Sequence, residues 1–174
     1  QSELMSAYTY NASLPLIKKN STTFNTLEPK LSLRFSPHEM KNNSNESRRI
    51  DVGNIFSSNR LSLGNSFESG ESITLGLNFK KEKINADNKI DKIEKYIDFK
   101  LASVFRLDEE KNIPTNSTLN KKNSNIFGQF NFKPTKNISL GYNFSLTDDL
   151  NTFEYNSLIT TMEFRKFITQ FDYL

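Results

Sequence analysis

The sequence predicts an all-β fold: an antiparallel, up-and-down segment of a transmembrane β-barrel with about eight long strands, an incomplete barrel on its own. Three observations carry this. Apolar residues recur at every second position in stretch after stretch, the period of a strand with two unlike faces. Most stretches run for roughly 9 to 13 residues, longer than the five or six usual in globular sheets and close to the 9 to 11 that a tilted spanning strand needs. Short turns alternate with long polar loops, as on the two rims of an outer-membrane barrel, except that the 80 to 95 connection is long on the short-turn side.

In chain order, Ser6 to Leu16 sets Tyr8, Tyr10, Ala12, Leu14 and Leu16 against Ala7, Thr9, Asn11 and Ser13, and Pro15, which lacks a donor, marks the strand end. A polar turn follows around Lys18-Lys19-Asn20. From about Thr22 to Phe35, Leu27, Pro29, Leu31, Leu33 and Phe35 alternate with Glu28, Lys30, Ser32 and Arg34. That charged face has to meet water or paired charge. Ser36 to about Asn65 has no periodicity, and a loop of that length is usually functional or disordered. A Gly, Ser and Asn segment ending at Glu68-Ser69-Gly70 feeds a strand in which Ile73, Leu75, Leu77 and Phe79 oppose Ser72, Thr74, Gly76 and Asn78. Lys80 to Lys95 reads as a charged connection, with Ile84, Ile90 and Ile93 at the spacing of a short helical turn. Tyr96 to Asp108 has the clearest alternation: Ile97, Phe99, Leu101 and Phe105 against Asp98, Lys100 and Arg106. Glu109 to Asn123 is a second long loop. Three further strands, Asn125 to Lys133, Asn137 to Thr147 and Thr152 to Phe164, are joined by a turn at Pro134-Thr135-Lys136 and a loop at Asp148-Asp149. Arg165-Lys166 turns into the last, with Phe167, Phe171 and Tyr173 outward.

Bulk composition is compatible with this. Among 174 residues 35% are hydrophobic and 25% charged, and mean hydropathy is −0.62. A barrel scores as polar because only alternate strand positions are apolar. The 15 Phe and 6 Tyr without Trp supply the apolar face. No run of about 18 apolar residues exists, which excludes a transmembrane helix. The net charge of +3 is spread over loops and turns rather than along one helix or ribbon, so no nucleic-acid partner is expected. With no cysteine, disulfides and thiolate metal sites are excluded.

Catalytic chemistry finds little support. His38 is the sole histidine, so neither a His-based triad nor a two-imidazole metal site is expected. Asp108-Glu109-Glu110 and Asp148-Asp149 lack the spacing of a calcium loop and read as solvated charge. Gly64 to Gly70 has no Walker lysine. No enzyme activity, cofactor or metal is expected. The loop cations Lys41, Arg48, Arg49 and Arg60 are candidates for charge-assisted contacts to phosphorylated sugars, beside the plainer reading of a solvated loop.

One segment is more specific. Leu27-Glu28-Pro29 at a strand start, then Asn54-Ile55-Phe56-Ser57-Ser58-Asn59-Arg60-Leu61-Ser62, Glu68-Ser69-Gly70 and Thr74-Leu75-Gly76-Leu77 resemble the outer-membrane LPS-assembly family LptD, in its α-proteobacterial form. That family carries an aromatic-x-x-Asp/Asn-Arg-Phe-Ser-Gly-x-Asp-Arg-x-Glu-x-Gly signature, which Asn59, Arg60, Ser62, Glu68 and Gly70 match, with Gly76 in the following strand. Phe105 to Asp108, Tyr142 to Asp148 and Phe153 to Tyr155 also resemble its barrel strands. Leu63-Gly64-Asn65-Ser66 departs from it, losing an acid and a base together, as when an ion pair or loop fold is given up as a unit. The resemblance implies residues 1–174 as the central strands of one barrel domain, without the family's periplasmic jellyroll and closing strands. It further implies assembly of lipopolysaccharide (LPS) into the outer leaflet of the Gram-negative outer membrane, with long loops extracellular and short turns periplasmic. The partners implied are LPS, an LptE-like lipoprotein plug, periplasmic LPS-transport bridge proteins and membrane lipid. A generic porin or receptor barrel shares every physical feature except the signature. A soluble β-sandwich instead requires the apolar faces to pack on each other and the charged faces to meet solvent.

Overall fold

The computed structural model describes residues 5–84, 93–164 and 167–173. They form one antiparallel sheet of β1 (Tyr8–Ser13), β2 (Leu16–Lys19), β3 (Thr23–Ser36), β4 (Gly70–Ile84), β5 (Ile93–Arg106), β6 (Ile126–Thr135), β7 (Ile138–Leu146), β8 (Phe153–Phe164) and β9 (Phe167–Tyr173). From β3 onward each strand pairs with the next in sequence, and β1 and β2 both pair with β3. The sheet is up-and-down and unclosed, with β9 at one edge and β1 and β2 at the other. No α-helix occurs among the described residues; a 3-10 turn spans Thr115–Ser117.

The distribution of polarity is the reverse of a soluble domain. On β4, Ile73 and Leu75 are 39% and 49% exposed, whereas Ser72 and Thr74 beside them are 4% and 1% exposed. Tyr8, Tyr10, Leu27, Leu33, Phe35, Leu77 and Phe105 continue the uncovered apolar face, and no second sheet among the described residues packs on it. This rules out the β-sandwich and leaves an outward surface suited to hydrocarbon. Phe144 lies over Gly128 on that face, where a Cβ would collide with its ring.

The hydrophobic core lies instead on the polar side of the wall. Met40, Ile50, Ile55, Leu61 and Leu63 come from loop 37–69, and Ile113 and Leu119 from loop 107–125. They pack on Ala102 and Val104 of β5 and Phe127 of β6. The expected long loops are therefore ordered, and they fold inward as one package. Backbone bonds knit them: the Asn43 N–H donates to Asn112 O at 2.9 Å and the Thr115 N–H to Ser44 O at 3.3 Å. The second loop also runs along the end of β5, where the Arg106 N–H reaches Lys122 O at 2.7 Å.

Four boundaries differ from the sequence expectation. Pro15 interrupts the first strand without ending it: Ser13 faces Lys30 and Leu16 faces Leu27 in one register, and the Leu14 N–H bonds to Pro29 O, so residues 17–19 belong to β2 rather than to a turn. Leu27-Glu28-Pro29 lies inside β3 and not at a strand start, since β3 begins at Thr23, as the alternation from about Thr22 predicts, and Leu27 faces Leu16 of β2. Lys80–Ile84 continues β4 and Ile93 already belongs to β5, the two closing at Ile84 opposite Ile93, so Ile84 and Ile93 are in strands and not a helical turn. Cross-strand pairing holds these charged residues in strand after the apolar alternation has ended. Ile90 and the rest of 85–92 lie outside the described residues, as does the Arg165-Lys166 turn. Pro134 sits within β6 at an irregularity between Phe132 and Thr135, where a residue without a donor is tolerated.

Candidate functional site

The register of three strands builds the floor of the site. Arg34 on β3 faces Ser72 on β4, and Ser72 faces Arg106 on β5, so two arginines flank a serine on the inner wall. At strand spacings of about 4.8 Å their backbones stand roughly 10 Å apart, room for one carboxylate between the guanidinium groups. Loop 37–69 supplies that carboxylate. Glu68, two residues before β4, enters with Arg60, and all four charged side chains are at most 4% exposed.

The pairing is dense. Arg60 donates from Nε to Glu68 Oε2 at 2.7 Å and from Nη2 to Oε1 at 2.5 Å, a two-pronged pair, and its other bonds reach Thr74 Oγ1 at 2.9 Å and Ser72 Oγ at 3.0 Å. Arg106 donates from Nη1 to Glu68 Oε1 and from Nη2 to Ser69 O, each at 2.5 Å, and from Nε to Asp108 O at 3.2 Å. Arg34 donates to Ser58 O at 2.6 Å, while its Nε, 3.8 Å from Glu68 Oε2, is buried without a hydrogen-bond partner. Thr9 Oγ1, on the residue opposite Arg34, is a second orphan. Glu110 adds negative charge near Arg106 and accepts from Ser69 Oγ at 2.7 Å. The Arg60–Glu68 pair thus ties one loop to β3, β4 and β5.

Burial pushes the Glu68 carboxyl up, but the charge and hydrogen bonds of Arg60, and then the charges of Arg34 and Arg106, outweigh it and hold the group below the ordinary carboxylate range. A folded-state value lowered in this way contributes stability that is complete above the ordinary range and is lost as pH falls through the lowered value. Acidification from neutrality to about pH 5 should therefore leave loop 37–69 protected from protease, with release only in stronger acid. Release between those two values would contradict the assignment.

Beside the clamp the inner wall is polar. Glu28, Asn78, Lys100, Gln129, Asn143 and Ser157 stand directly opposite one another across β3 to β8. Asn78 donates to Glu28 at 3.0 Å and Gln129 to Asn143 at 2.9 Å. Under the loops, a cavity of ≈ 740 Å³ is lined by Arg49, Asp51, Asn116, Gln129, Asn143 and Tyr155, among others. An unclosed wall with an oily outside, a polar inside and a loop package clamped to the inside is a portion of a barrel.

A family model described as LptD: LPS transport system D matches residues 1–174, the whole chain. The chain belongs to the LptD family. That makes it an outer-membrane protein of LPS transport and assembly. No curated protein matches the chain.

The positions that resemble the LptD signature have plain structural tasks. Asn59 closes a turn, its carbonyl accepting the Ser62 N–H at 3.0 Å, and Ser62 takes the left-handed φ of 48° that ends it. Gly76 is where the Phe56 ring meets the wall: a Cβ there would lie 2.5 Å from Phe56 Cζ, and Lys30 caps the same ring at 4.8 Å. Gly70 has φ +82°, and a Cβ would stand 2.8 Å from Arg106 Nη2. Gly70→Ala should therefore cost about 1–3 kcal/mol from backbone strain and displacement of Arg106, read as a lowered denaturation midpoint of the intact protein. An unchanged midpoint would show that Arg106 yields freely.

At the departure from the signature, Ser66 is buried and its Oγ accepts the Lys41 N–H at 3.2 Å, so the loop closes here through a hydroxyl. Glu28 belongs to the polar row. Lys41 is exposed, Arg48 pairs with Glu46 at 2.9 Å, and Arg49 lies over the Tyr155 ring at 3.9 Å, none of them in the clamp. Arg34 and Arg106 were absent from the sequence-derived candidates. The signal for them was the register: aligning the apolar faces of the strands on either side of β4 sets both arginines beside Ser72.

Proposed function

We propose that this chain forms part of the wall of the translocon that delivers LPS into the outer leaflet, and that loops 37–69 and 107–125 are a fixed lid over its extracellular end. The observation that carries this reading is Glu68, which pins the longer loop to the inner wall. A solvated loop needs no such buried clamp, whereas a lid that must withstand passage of a large amphiphile does. The short turns then face the periplasm, toward bridge proteins that bring LPS, and an LptE-like lipoprotein occupies the lumen beside the polar row. Lys41, Arg48 and Arg49 on the loop meet the phosphates of arriving LPS. The whole-chain family match favours this over a porin or receptor barrel.

Deleting residues 59–70 from the intact protein tests the reading. Surface LPS should fall and uptake of a small impermeant solute should rise. A rise in solute uptake with surface LPS at the wild-type level would leave a plain channel. Arg48→Gln with Arg49→Gln should lower LPS delivery and leave solute uptake unchanged.

A further inference from the structure

The outward face changes character at the turn end of β2 to β4. Leu16, Leu27 and Phe79 form one directly opposed row of the apolar band. Two residues further along, the same outward positions are Lys18, Asn25 and Lys81, again directly opposed, and the next outward position on β4 is Lys83, facing Thr23. The three lysines are exposed, and no carboxylate among the described residues pairs with them. Two inward lysines are paired instead: Lys80 with Glu82 at 2.7 Å and Lys100 with Asp98 at 3.5 Å. The outward Lys18, Lys81 and Lys83 have no such partner among the described residues and are left for something outside the wall.

The patch is local. At the turn end of β7, β8 and β9 the outward positions are Ile138, Met162, Phe164 and Phe167, and at the loop end of β1 to β5 they are Tyr8, Phe35, Glu71 and Phe105. A hydrocarbon-facing band that ends in two ammonium groups flanking an amide has the form of an amphiphile: chains along Leu16, Leu27 and Phe79, a phosphate at Lys18, Asn25 and Lys81. Long lysine stems allow the ammonium groups to reach headgroup level while their methylenes stay on apolar surface.

We infer that Lys18, Asn25, Lys81 and Lys83 form a docking surface for a phospholipid of net negative headgroup, in the leaflet at the turn end of the sheet. The inference rests on the outward face meeting lipid. Near-surface lysines contribute about 1 kcal/mol each toward anionic lipid, a factor of roughly five. The probe is the intact protein reconstituted in phosphatidylcholine vesicles containing spin-labelled phosphatidylglycerol or spin-labelled phosphatidylcholine, with the motionally restricted fraction read by electron paramagnetic resonance. Phosphatidylglycerol should be restricted with at least roughly five-fold selectivity, the contribution of one lysine. The selectivity should fall in high salt, should vanish in K18Q/K81Q/K83Q and should persist in K18R/K81R/K83R. Equal restriction of the two labels in the wild-type protein, or selectivity unchanged in K18Q/K81Q/K83Q, overturns the docking surface. Restriction of neither label overturns the lipid-facing assignment beneath it, which separates the two failures.

Discussion

Replacing Glu68 with Gln should release loop 37–69 from the barrel wall at a cost of about 3–5 kcal/mol, the usual consequence of removing one partner from a buried ion pair. The change is nearly isosteric, so little packing is lost. What is lost is the only carboxylate among the described residues that touches Arg34, Arg60 and Arg106 together. Three guanidinium groups would then face one another across Ser72 with little solvent to screen them. The wall cannot relieve this, because Arg34 and Arg106 are fixed by strand register on either side of β4. The loop can, by withdrawing Arg60. Limited proteolysis of the intact protein should therefore cut within residues 37–69 of Glu68→Gln under conditions that spare the wild type. Adding Arg60→Gln should restore part of the protection, because the withdrawn charge is gone. That coupling should exceed 0.5 kcal/mol, as for residues in one network. Wild-type protease resistance in Glu68→Gln would show that apolar packing alone holds the loop.

The wall was legible in the sequence because a period of two survives in most of its strands. Ile73 to Phe79 and Ile97 to Phe105 announce both their conformation and their outward face, and the structure keeps both. Legibility failed where charge replaced the apolar signal. Lys80 to Ile84 looked like connection because Lys and Glu carry no periodic hydropathy, yet cross-strand pairing carries the strand through them. Pro15 misled for a different reason: it lacks a donor, but on an edge strand the missing bond is one the sheet does not need. The clamp was half visible. Arg60 and Glu68 belong to a contiguous signature, whereas Arg34 and Arg106 come from strands 34 or more residues away on either side of Glu68. Only three-strand register joins them. The inward fold of the long loops had no local signal, since Met40, Ile50, Ile55, Leu61 and Leu63 are scattered among polar residues without a period.

Those scattered residues carry the second large effect. Leu119 is wholly buried, in one apolar cluster with Ile113, Ile55 and Val104, so it belongs to the seam where the two loops meet the wall. Leu119→Ala should cost about 2–5 kcal/mol, the range for emptying a well-packed apolar site. The loss should be local. Strands β7 and β8 share an unbroken ladder from Ile138 opposite Met162 to Ser145 opposite Tyr155, with a bulge before Leu146 meets Phe153, and they contribute nothing to the buried apolar cluster. Hydrogen exchange of the intact protein separates the two regions. Amides that bridge the loops, Asn43 to Asn112 O, Thr115 to Ser44 O and Arg48 to Asn116 Oδ1, should lose protection in Leu119→Ala while those of β7 and β8 keep it. If protection falls across the sheet as well, the loop package and the wall unfold as one unit. If it falls in the loops alone, the loop package is a separate cooperative element with its own apolar core. Glu68 is then the joint between two bodies of different stability, and the loop package can be released without disturbing the strands.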